Sequence, residues 1–249
     1  YPEGDRYHMD FDDLEAKASD PTVKLAILCS PHNPVGRIWT RDELARFAEI
    51  CVRHDIIVLA DEIHGDLIMP GNEFFAYGRL EPELRTRSIV CTAPSKSFNV
   101  AGLQTANLII EDPDLRDLAR AELRATGLYT MSPFGIAATQ AAYSEGDAWL
   151  DEAVAYIAAN IDHVKSYLRE HLPMIRTVDC QATYLLWLDF RELALDHAAL
   201  KSLLIDEAKL YLDDGEKFGE EGTGFMRINL ACSRQTVDRA LARLSAAIA

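Results

Sequence analysis

Residues 56–64 read IIVLADEIH, an apolar run that ends in charged side chains. Positions 56–60 are all aliphatic, with no polar residue between them, which is typical of a strand covered on both faces. Such strands belong to parallel sheets of α/β proteins, where the loops after the carboxyl ends of the strands form the ligand crevice. Asp61 therefore stands where this class of fold presents its chemistry.

Further strands and helices alternate around this run. Strand-length apolar runs lie at residues 23–29, 88–92 and 105–110. A helix begins at the capping box formed by Thr40 and Glu43, and another covers residues 113–126. Strand and helix in this order predict a mainly parallel sheet with right-handed crossovers. We predict that residues 1–148 form a large α/β domain with three layers.

The pattern changes from about Trp149 onward. Helices are predicted at residues 150–172, 197–209 and 234–248, and short strands at 174–180, 184–190 and 226–230. Because strands and helices no longer alternate strictly, residues 149–249 are predicted to form a smaller α+β domain. The glycine-rich, acidic residues 215–224 are predicted to form a mobile loop.

The net charge of −15 argues against nucleic acid or an anionic membrane as a partner. No apolar run approaches the roughly 20 residues that a membrane-spanning helix needs. A small anionic substrate remains compatible with the charge, because a local cationic pocket can exist inside an acidic protein. The chain begins Tyr1-Pro2 rather than with Met, so we expect a fragment of a longer protein.

The five cysteines are scattered and contain no Cys-x-x-Cys pair. This usage predicts free thiols in a reducing cytoplasm. No group of His, Cys and Asp has metal-ligand spacing along the sequence, so no metal site is predicted.

Three polar side chains follow predicted strands and are expected to line one pocket. Asn33 lies in the loop SPHNPVG (30–36), Asp61 ends the run at 56–60, and Lys96 lies in SKSFN (95–99). Each has an ordinary alternative. Asn33 could stabilise its own turn, Asp61 could cap a helix, and most lysines are solvated surface charges.

The chemistry of these side chains is complementary to one cofactor, pyridoxal phosphate (PLP). A lysine amine can form a Schiff base with an aldehyde, which is how this cofactor is held. A carboxylate near the pyridine nitrogen keeps that nitrogen protonated, and an asparagine amide can donate to the phenolic oxygen. His64 could bond to the same oxygen or stack nearby, or it could be a satisfied, partly buried histidine.

In this order, the motifs resemble the fold type I PLP enzymes of aminotransferase class I/II. The resemblance rests on Asn33-Pro34-x-Gly36, DEIH (61–64) and SKSFN (95–99). The stretches MDFDDLE (9–15) and FNVAGL (98–103), with the histidine at position 64, resemble the cystathionine β-lyase-like (C-S lyase) branch. The resemblance covers essentially the whole chain. It implies the PLP-dependent transferase fold type I, with the N-terminal part of that fold absent from this sequence.

The resemblance also implies a role for each site residue. Lys96 would be the Schiff-base lysine and the acid/base that moves the Cα proton. Asp61 would pair with the pyridinium nitrogen, and Asn33 would bond to the phenolic oxygen. Arg227, in FMRIN (225–229), matches the arginine that forks onto the substrate α-carboxylate. His64 stands where typical aminotransferases carry a tyrosine, which leaves its role open. Arg227 could alternatively be a surface arginine on an edge strand.

The phosphate contacts are less defined. Thr92 and Ser95 are candidates, although buried hydroxyls often only bond to backbone groups. Many aminotransferases place a phosphate-binding arginine eight residues after the lysine, where this chain has Gln104. The phosphate must therefore be held differently in this protein.

The resemblance implies a β-lyase of a small amino acid substrate such as L-cystathionine, which yields homocysteine as the thiol, pyruvate and ammonia. It further implies a homodimer, a cytoplasmic location and a place in methionine biosynthesis. Two alternatives stay open at this point. One is an aminotransferase with the same cofactor, and the other is a PLP-fold regulator without turnover.

Overall fold

The computed structural model of the chain describes residues 1–128 and 130–248. Its α-helices are, in chain order, α1 (Phe11–Ala18), α2 (Arg41–Arg53), α3 (Pro82–Arg85), α4 (Pro94–Ser97), α5 (Pro113–Ala125), α6 (Pro133–Glu145), α7 (Asp147–His171), α8 (His197–Ser202) and α9 (Arg234–Ile248). Its strands are β1 (Pro2–Glu3), β2 (Arg6–Tyr7), β3 (Leu25–Cys29), β4 (Ile57–Asp61), β5 (Ser88–Thr92), β6 (Asn107–Ile109), β7 (Arg176–Thr177), β8 (Leu185–Asp189), β9 (Asp213–Asp214) and β10 (Phe225–Asn229).

The sheet in the first half of the chain has the strand order β3-β4-β5-β6. Strands β3, β4 and β5 are parallel, while β6 runs antiparallel to β5. The predicted α/β class and mainly parallel sheet are confirmed, and the reversed direction of β6 is an addition that the sequence did not indicate. The carboxyl ends of β3, β4 and β5 meet at one edge, so the loops after them are neighbours.

The two faces of this sheet differ in burial. Val58 and Ala60 of β4 are buried in a core that α2 helps to form. On the opposite face, Leu25 is 48% exposed and Ile27 is 71% exposed. The described residues therefore cover one face, whereas the lack of polar alternation at residues 56–60 indicated two covered faces.

Helix α2 begins as predicted. The N–H of Glu43 donates to the Thr40 hydroxyl at 3.2 Å, and the N–H of Thr40 donates to the Glu43 carboxylate at 2.7 Å. These bonds satisfy two amides that a helix start would otherwise leave unpaired. The same carboxylate accepts two hydrogen bonds from Arg37, at 2.7 and 2.9 Å, which ties the helix to the loop after β3.

The second half of the chain forms an antiparallel sheet with the strand order β7-β8-β10-β9. Helices α7 and α9 pack against it through a separate hydrophobic core. Core members from these elements include Ile161, Val164, Leu186, Met226 and Leu241. The separate cores are consistent with a boundary near residue 148, and the exact division into two domains stays a prediction.

Helix α7 has 25 residues and turns an apolar stripe towards this core. Its remaining face is polar or exposed, as expected of a helix at the surface of a folded domain. Among the described residues, no helix combines the length and the apolar character that crossing a membrane would require.

Helix α6 and residues 215–224 are among the segments that differ from the sequence-based expectation. Helix α6 was not predicted at all. Residues 215–224, predicted as a mobile loop, form two 3₁₀ turns at Gly215–Phe218 and Glu220–Gly222. A Cβ atom on Gly215 would overlap the carbonyl oxygen of Gly222, so these turns pack against each other too closely for a side chain there.

Candidate active site

Asp61 is the last residue of β4 and lies between two cysteines. The parallel register pairs it with Cys29 of β3 and Cys91 of β5. Since side chains alternate along a strand, Asp61 projects from the less covered face, on which Leu59 also lies. One carboxylate oxygen of Asp61 accepts the N–H of Ile63 at 3.2 Å, which fixes the turn after the strand.

The loop that carries Asn33 is built around short-range contacts. The N–H of Asn33 donates to the Cys29 sulfur at 3.5 Å. Gly36 has a φ of +69°, a conformation that favours glycine, and its carbonyl oxygen accepts the N–H of Ala182 at 3.0 Å. A Cβ atom at position 36 would lie 2.9 Å from the carbonyl oxygen of Ala182. The loop is thus held from both halves of the chain.

Arg227 lies on β10 and reaches the Asn33 loop. Its Nη1 donates to the side-chain oxygen of Asn33 at 2.6 Å, and its Nη2 donates to Asp213 of β9 at 2.6 Å. The guanidinium lies over the ring of Phe218, with its carbon 4.9 Å from the ring centroid. Its Nε is buried and has no hydrogen-bond partner within residues 1–128 and 130–248. The side chain of Arg227 is mostly buried, which excludes the alternative that it is a surface arginine.

His64 lies close to both cationic side chains of the site. It is 3% exposed, and burial, followed by the charges of Lys96 and Arg227, lowers the pKa of its imidazole to about 4. The ring is therefore neutral at pH 7. It packs edge-on against Tyr184 with ring centroids 5.9 Å apart. Its Nδ1 has no partner in the part of the chain that the structure describes.

Lys96 lies on α4, a single helical turn that begins at Pro94 directly after β5. The following residue, Ser97, is buried and its hydroxyl donates to Asp66 at 2.8 Å, which anchors the turn. Lys96 itself is half-buried and lines a cavity of about 410 Å³. Other residues that line this cavity include Ser95, Trp149, Tyr156, Tyr184, Asn229 and Cys232.

This cavity does not contain the whole predicted constellation. Asn33, Asp61 and Arg227 do not line it. Asn33 and Arg227 are hydrogen-bonded to each other, and the charges of Lys96 and Arg227 both lower the pKa of His64. The structure thus joins Asn33 to Arg227 and places Lys96 and Ser95 at the cavity, and the union of these groups in one site stays a prediction.

The two candidate phosphate contacts have different surroundings. The Thr92 hydroxyl oxygen accepts a hydrogen bond from Asn107 at 3.2 Å, which leaves its own hydrogen free to donate. Ser95 lines the cavity beside Lys96. Gln104 is exposed and adopts a left-handed conformation with φ of +51°. Their part in binding a phosphate stays a prediction.

Tyr184 and Asp213 were not predicted as site residues from the sequence. Tyr184 precedes β8, and Asp213 reaches Arg227 only because β9 pairs with β10. Neither residue belongs to a motif, and no pattern in the sequence pairs Asp213 with Arg227. Both could have been found only from the register of the second sheet.

A second cluster of polar side chains includes Asp214, which follows Asp213 on β9. Atoms of His197, Asp214 and Glu216 lie within 4.8 Å of one another, a combination of ligand types that no sequence spacing indicated. The Lys201 ammonium lies 2.6 Å from Asp214. The N–H of Gly224 donates to Nδ1 of His197 at 3.2 Å, so Nε2 of that ring carries the proton and faces Asp214 at 2.7 Å. These contacts already supply positive charge and donors to Asp214, and we assign no metal to this cluster.

The chain is similar to known proteins over nearly its whole length. A family model described as aminotransferase class I and II matches residues 1–244. The chain is 42% identical over 242 residues to cystathionine beta-lyase PatB of Bacillus subtilis (strain 168), across 97% of this chain and 62% of that protein. It is 36% identical over 247 residues to the protein MalY of Escherichia coli (strain K12), across 99% and 63% of the two chains.

Among solved structures, the chain is similar to cystalysin from Treponema denticola, which contains a pyridoxal 5'-phosphate cofactor. The TM-score is 0.97 with 38% sequence identity, and the match covers 99% of this chain and 63% of that one. The chain therefore spans less than two thirds of the length of these relatives.

Proposed function

The chain belongs to the aminotransferase class I and II family, and from this premise we propose that the full-length protein is a PLP-dependent carbon–sulfur β-lyase. Its substrate would be a small sulfur amino acid such as L-cystathionine. The similarity to cystathionine beta-lyase PatB and to cystalysin supports the lyase branch. The observation that carries the proposal is the hydrogen bond between Arg227 and Asn33 beside the neutral ring of His64.

The residues of the site fit this cofactor. Lys96 offers an amine on the helical turn that follows β5, and Asp61 offers a carboxylate that accepts one hydrogen bond within the described residues, from Ile63. Nδ1 of His64 and Nε of Arg227 are buried without partners in residues 1–128 and 130–248. The site thus offers an amine, a carboxylate and two unpaired nitrogens, one on the imidazole ring and one on the guanidinium. These are groups that could bind an aldehyde-bearing pyridine and an amino acid.

When bound, PLP supplies an electron-accepting ring that stabilises negative charge at the Cα atom of an amino acid. Lys96 would hold the cofactor covalently through Nζ and would move the proton at Cα. Asp61 would hold a proton on the ring nitrogen, and Asn33 would donate to the phenolic oxygen. Arg227 would bind the α-carboxylate of the substrate and so orient its Cα–H bond.

His64 and the hydroxyls complete the proposed site. Because His64 is neutral at pH 7, it adds no positive charge beside Lys96 and offers one donor and one acceptor nitrogen. Thr92 and Ser95 would donate to the phosphate.

The net reaction would convert L-cystathionine and water into homocysteine, pyruvate and ammonia. The Cβ–S bond breaks, and the sulfur leaves as a thiol. We include in the proposal a cytoplasmic location, a role in methionine biosynthesis and a homodimer. Exposed apolar side chains on and beside α6, among them Phe134 at 78% exposure, support a further protein surface against this face.

The test uses the full-length protein loaded with PLP. It is incubated with L-cystathionine, and thiol and pyruvate are assayed together in the presence and absence of a keto acid. Equal amounts of thiol and pyruvate without a keto acid are expected. Transfer of the amino group to the keto acid without release of thiol would instead identify an aminotransferase. Cofactor binding without either reaction would point to a regulator that has lost turnover.

A further inference from the structure

Arg227 already holds a carboxylate in this structure. Its Nη2 donates to Asp213 at 2.6 Å, and the register of the second sheet places the two residues directly opposite each other on β9 and β10. Asp213 is 40% exposed, whereas Arg227 is 16% exposed. The pair is thus open to solvent on the aspartate side and closed on the arginine side.

The geometry of a guanidinium determines how a second carboxylate could bind to Arg227. An arginine can bind a carboxylate in bidentate fashion along two edges, one formed by Nη1 and Nη2 and the other by Nε and Nη2. Both edges include Nη2, the nitrogen that Asp213 engages, while Asn33 engages Nη1. A substrate carboxylate that forks onto Arg227 must therefore share a nitrogen with Asp213.

We propose that Asp213 is a resident carboxylate that competes with the α-carboxylate of the substrate for Arg227 and so keeps the affinity for amino acids low. This inference rests on the proposed function, in which Arg227 binds the substrate. Asp213 acts through Arg227 and is therefore a positioning residue rather than a catalytic one.

Charge is the physical cause of the competition. Two carboxylates at one guanidinium repel each other, and solvent screens the repulsion less on the side of Arg227, which lies mostly out of water. Lys217 partly offsets this effect, since its Nζ lies 3.5 Å from Asp213. When the charge of Asp213 is removed, Lys217 is also released and adds to the attraction for an incoming anion.

The test uses full-length protein with PLP bound and two probes, L-alanine and L-alaninamide, which share an amine and a side chain but differ in the carboxylate. Binding is followed through the absorbance of the cofactor. Asp213→Asn keeps the hydrogen-bond acceptor for Nη2 and removes the charge. We expect it to lower the Kd of L-alanine about fivefold and to leave that of L-alaninamide unchanged.

Two further variants make the result specific. Asp213→Glu keeps the charge, so its Kd for L-alanine should remain well above that of Asp213→Asn. Asp179→Asn is the matched control, because Asp179 is similarly exposed (33%) and pairs with another arginine, Arg6, at 2.8 Å. It should change neither Kd. With a thioether substrate, Asp213→Asn should lower KM and leave kcat unchanged.

The outcomes separate this inference from the proposed function. An unchanged or raised Kd for L-alanine in Asp213→Asn, or an equal change for L-alaninamide, overturns the role of Asp213. If Arg227→Lys weakens the binding of L-alanine and not of L-alaninamide, the assignment of Arg227 stands even then. If Arg227→Lys affects neither probe, both the carboxylate site and the competition fail, while release of thiol from L-cystathionine still tests the lyase.

Discussion

Arg227 donates from Nη1 to the side-chain oxygen of Asn33 at 2.6 Å, across 194 residues of sequence. This bond joins the last strand of the second sheet to the first loop of the parallel sheet. Arg227, proposed to bind the substrate carboxylate, is therefore in direct contact with Asn33, proposed to bind a cofactor oxygen. We expect a substitution of either residue to affect the binding of both substrate and cofactor.

Two substitutions of Arg227 should distinguish the contribution of its charge to activity from that of its planar shape. Arg227→Met removes both, and we expect kcat/KM for L-cystathionine to fall by about a hundredfold or more. Arg227→Lys keeps the charge without the planar fork and should give an intermediate loss. Arg120→Met, at an exposed arginine of α5, is the control and should leave the kinetics unchanged. Wild-type values for Arg227→Met would remove this residue from the site.

Lys96→Ala should abolish turnover. We expect kcat to fall by about a thousandfold or more, because both the covalent anchor and the proton-transfer amine are lost. Borohydride reduction followed by peptide mapping should label Lys96 in the wild type and no longer label this peptide in the variant. Lys17→Ala, at an exposed lysine of α1 that pairs with Asp13, should behave as wild type. Label at any other lysine in the wild type would contradict the assignment.

Glu62→Gln should stabilise the protein in a pH-dependent manner. Glu62 is 6% exposed, and burial raises the pKa of its carboxyl to about 7. The folded state therefore binds more protons than the unfolded state between about pH 4.5 and 7, so its stability falls as the pH rises through this window. Glutamine is neutral throughout and can still accept the N–H of Tyr77, which donates to Glu62 at 2.6 Å.

The expected gain in unfolding free energy for Glu62→Gln is near zero below pH 4.5 and rises to about 3 kcal/mol above pH 7. Urea titrations at pH 4.5, 6 and 8 would measure it, with the exposed Glu152→Gln as the control. A gain that is the same at all three pH values would show that the effect does not come from the buried charge.

Gly36→Ala should destabilise the fold through two causes. Gly36 has a positive φ, and a Cβ atom there would meet the carbonyl oxygen of Ala182 at 2.9 Å. We expect a loss of about 3 kcal/mol in unfolding free energy, from backbone strain and from the clash together. Gly71→Ala is the matched control, because Gly71 has φ of +84° with no atom within 4 Å of the added Cβ.

For Gly71→Ala the loss should be about 1 kcal/mol, since only the backbone strain remains. Urea midpoints of both variants, read together with the slope of each transition, would give the difference. Equal losses of unfolding free energy at the two glycines would mean that the clash of the added Cβ atom with Ala182 does not contribute to the destabilisation.

Elements with a strong local pattern were predicted well. Helix α2 has both a capping box and an apolar stripe, and α9 begins and ends at the predicted residues, Arg234 and Ile248. Helix α6 was missed because it consists largely of small residues and buries only Gly135 and Ala142 among its described positions. Its face carries no apolar periodicity that would distinguish a helix from a loop.

The site could be predicted only in part, for a related reason. Asn33, Asp61 and Lys96 follow strands of one parallel sheet, and strand order alone brings such positions to one edge. Asp213 and Tyr184 depend on the pairing in the antiparallel sheet and on how β10 approaches the loop of Asn33. These are long-range relationships that no local pattern encodes. The neutral state of His64 likewise depends on burial, which the sequence does not show.

The two cysteines that flank Asp61 determine which charges surround its carboxylate. Burial raises the pKa of both the Cys29 and the Cys91 thiols, and the neighbouring Asp61 carboxylate raises them further. Both thiols are therefore uncharged at neutral pH and place no negative charge beside Asp61. Oxidation of either thiol to a sulfinate would place a second fixed anion beside Asp61. Because oxidants attack the thiolate, the raised pKa values slow this reaction at both cysteines and so protect the surroundings of Asp61.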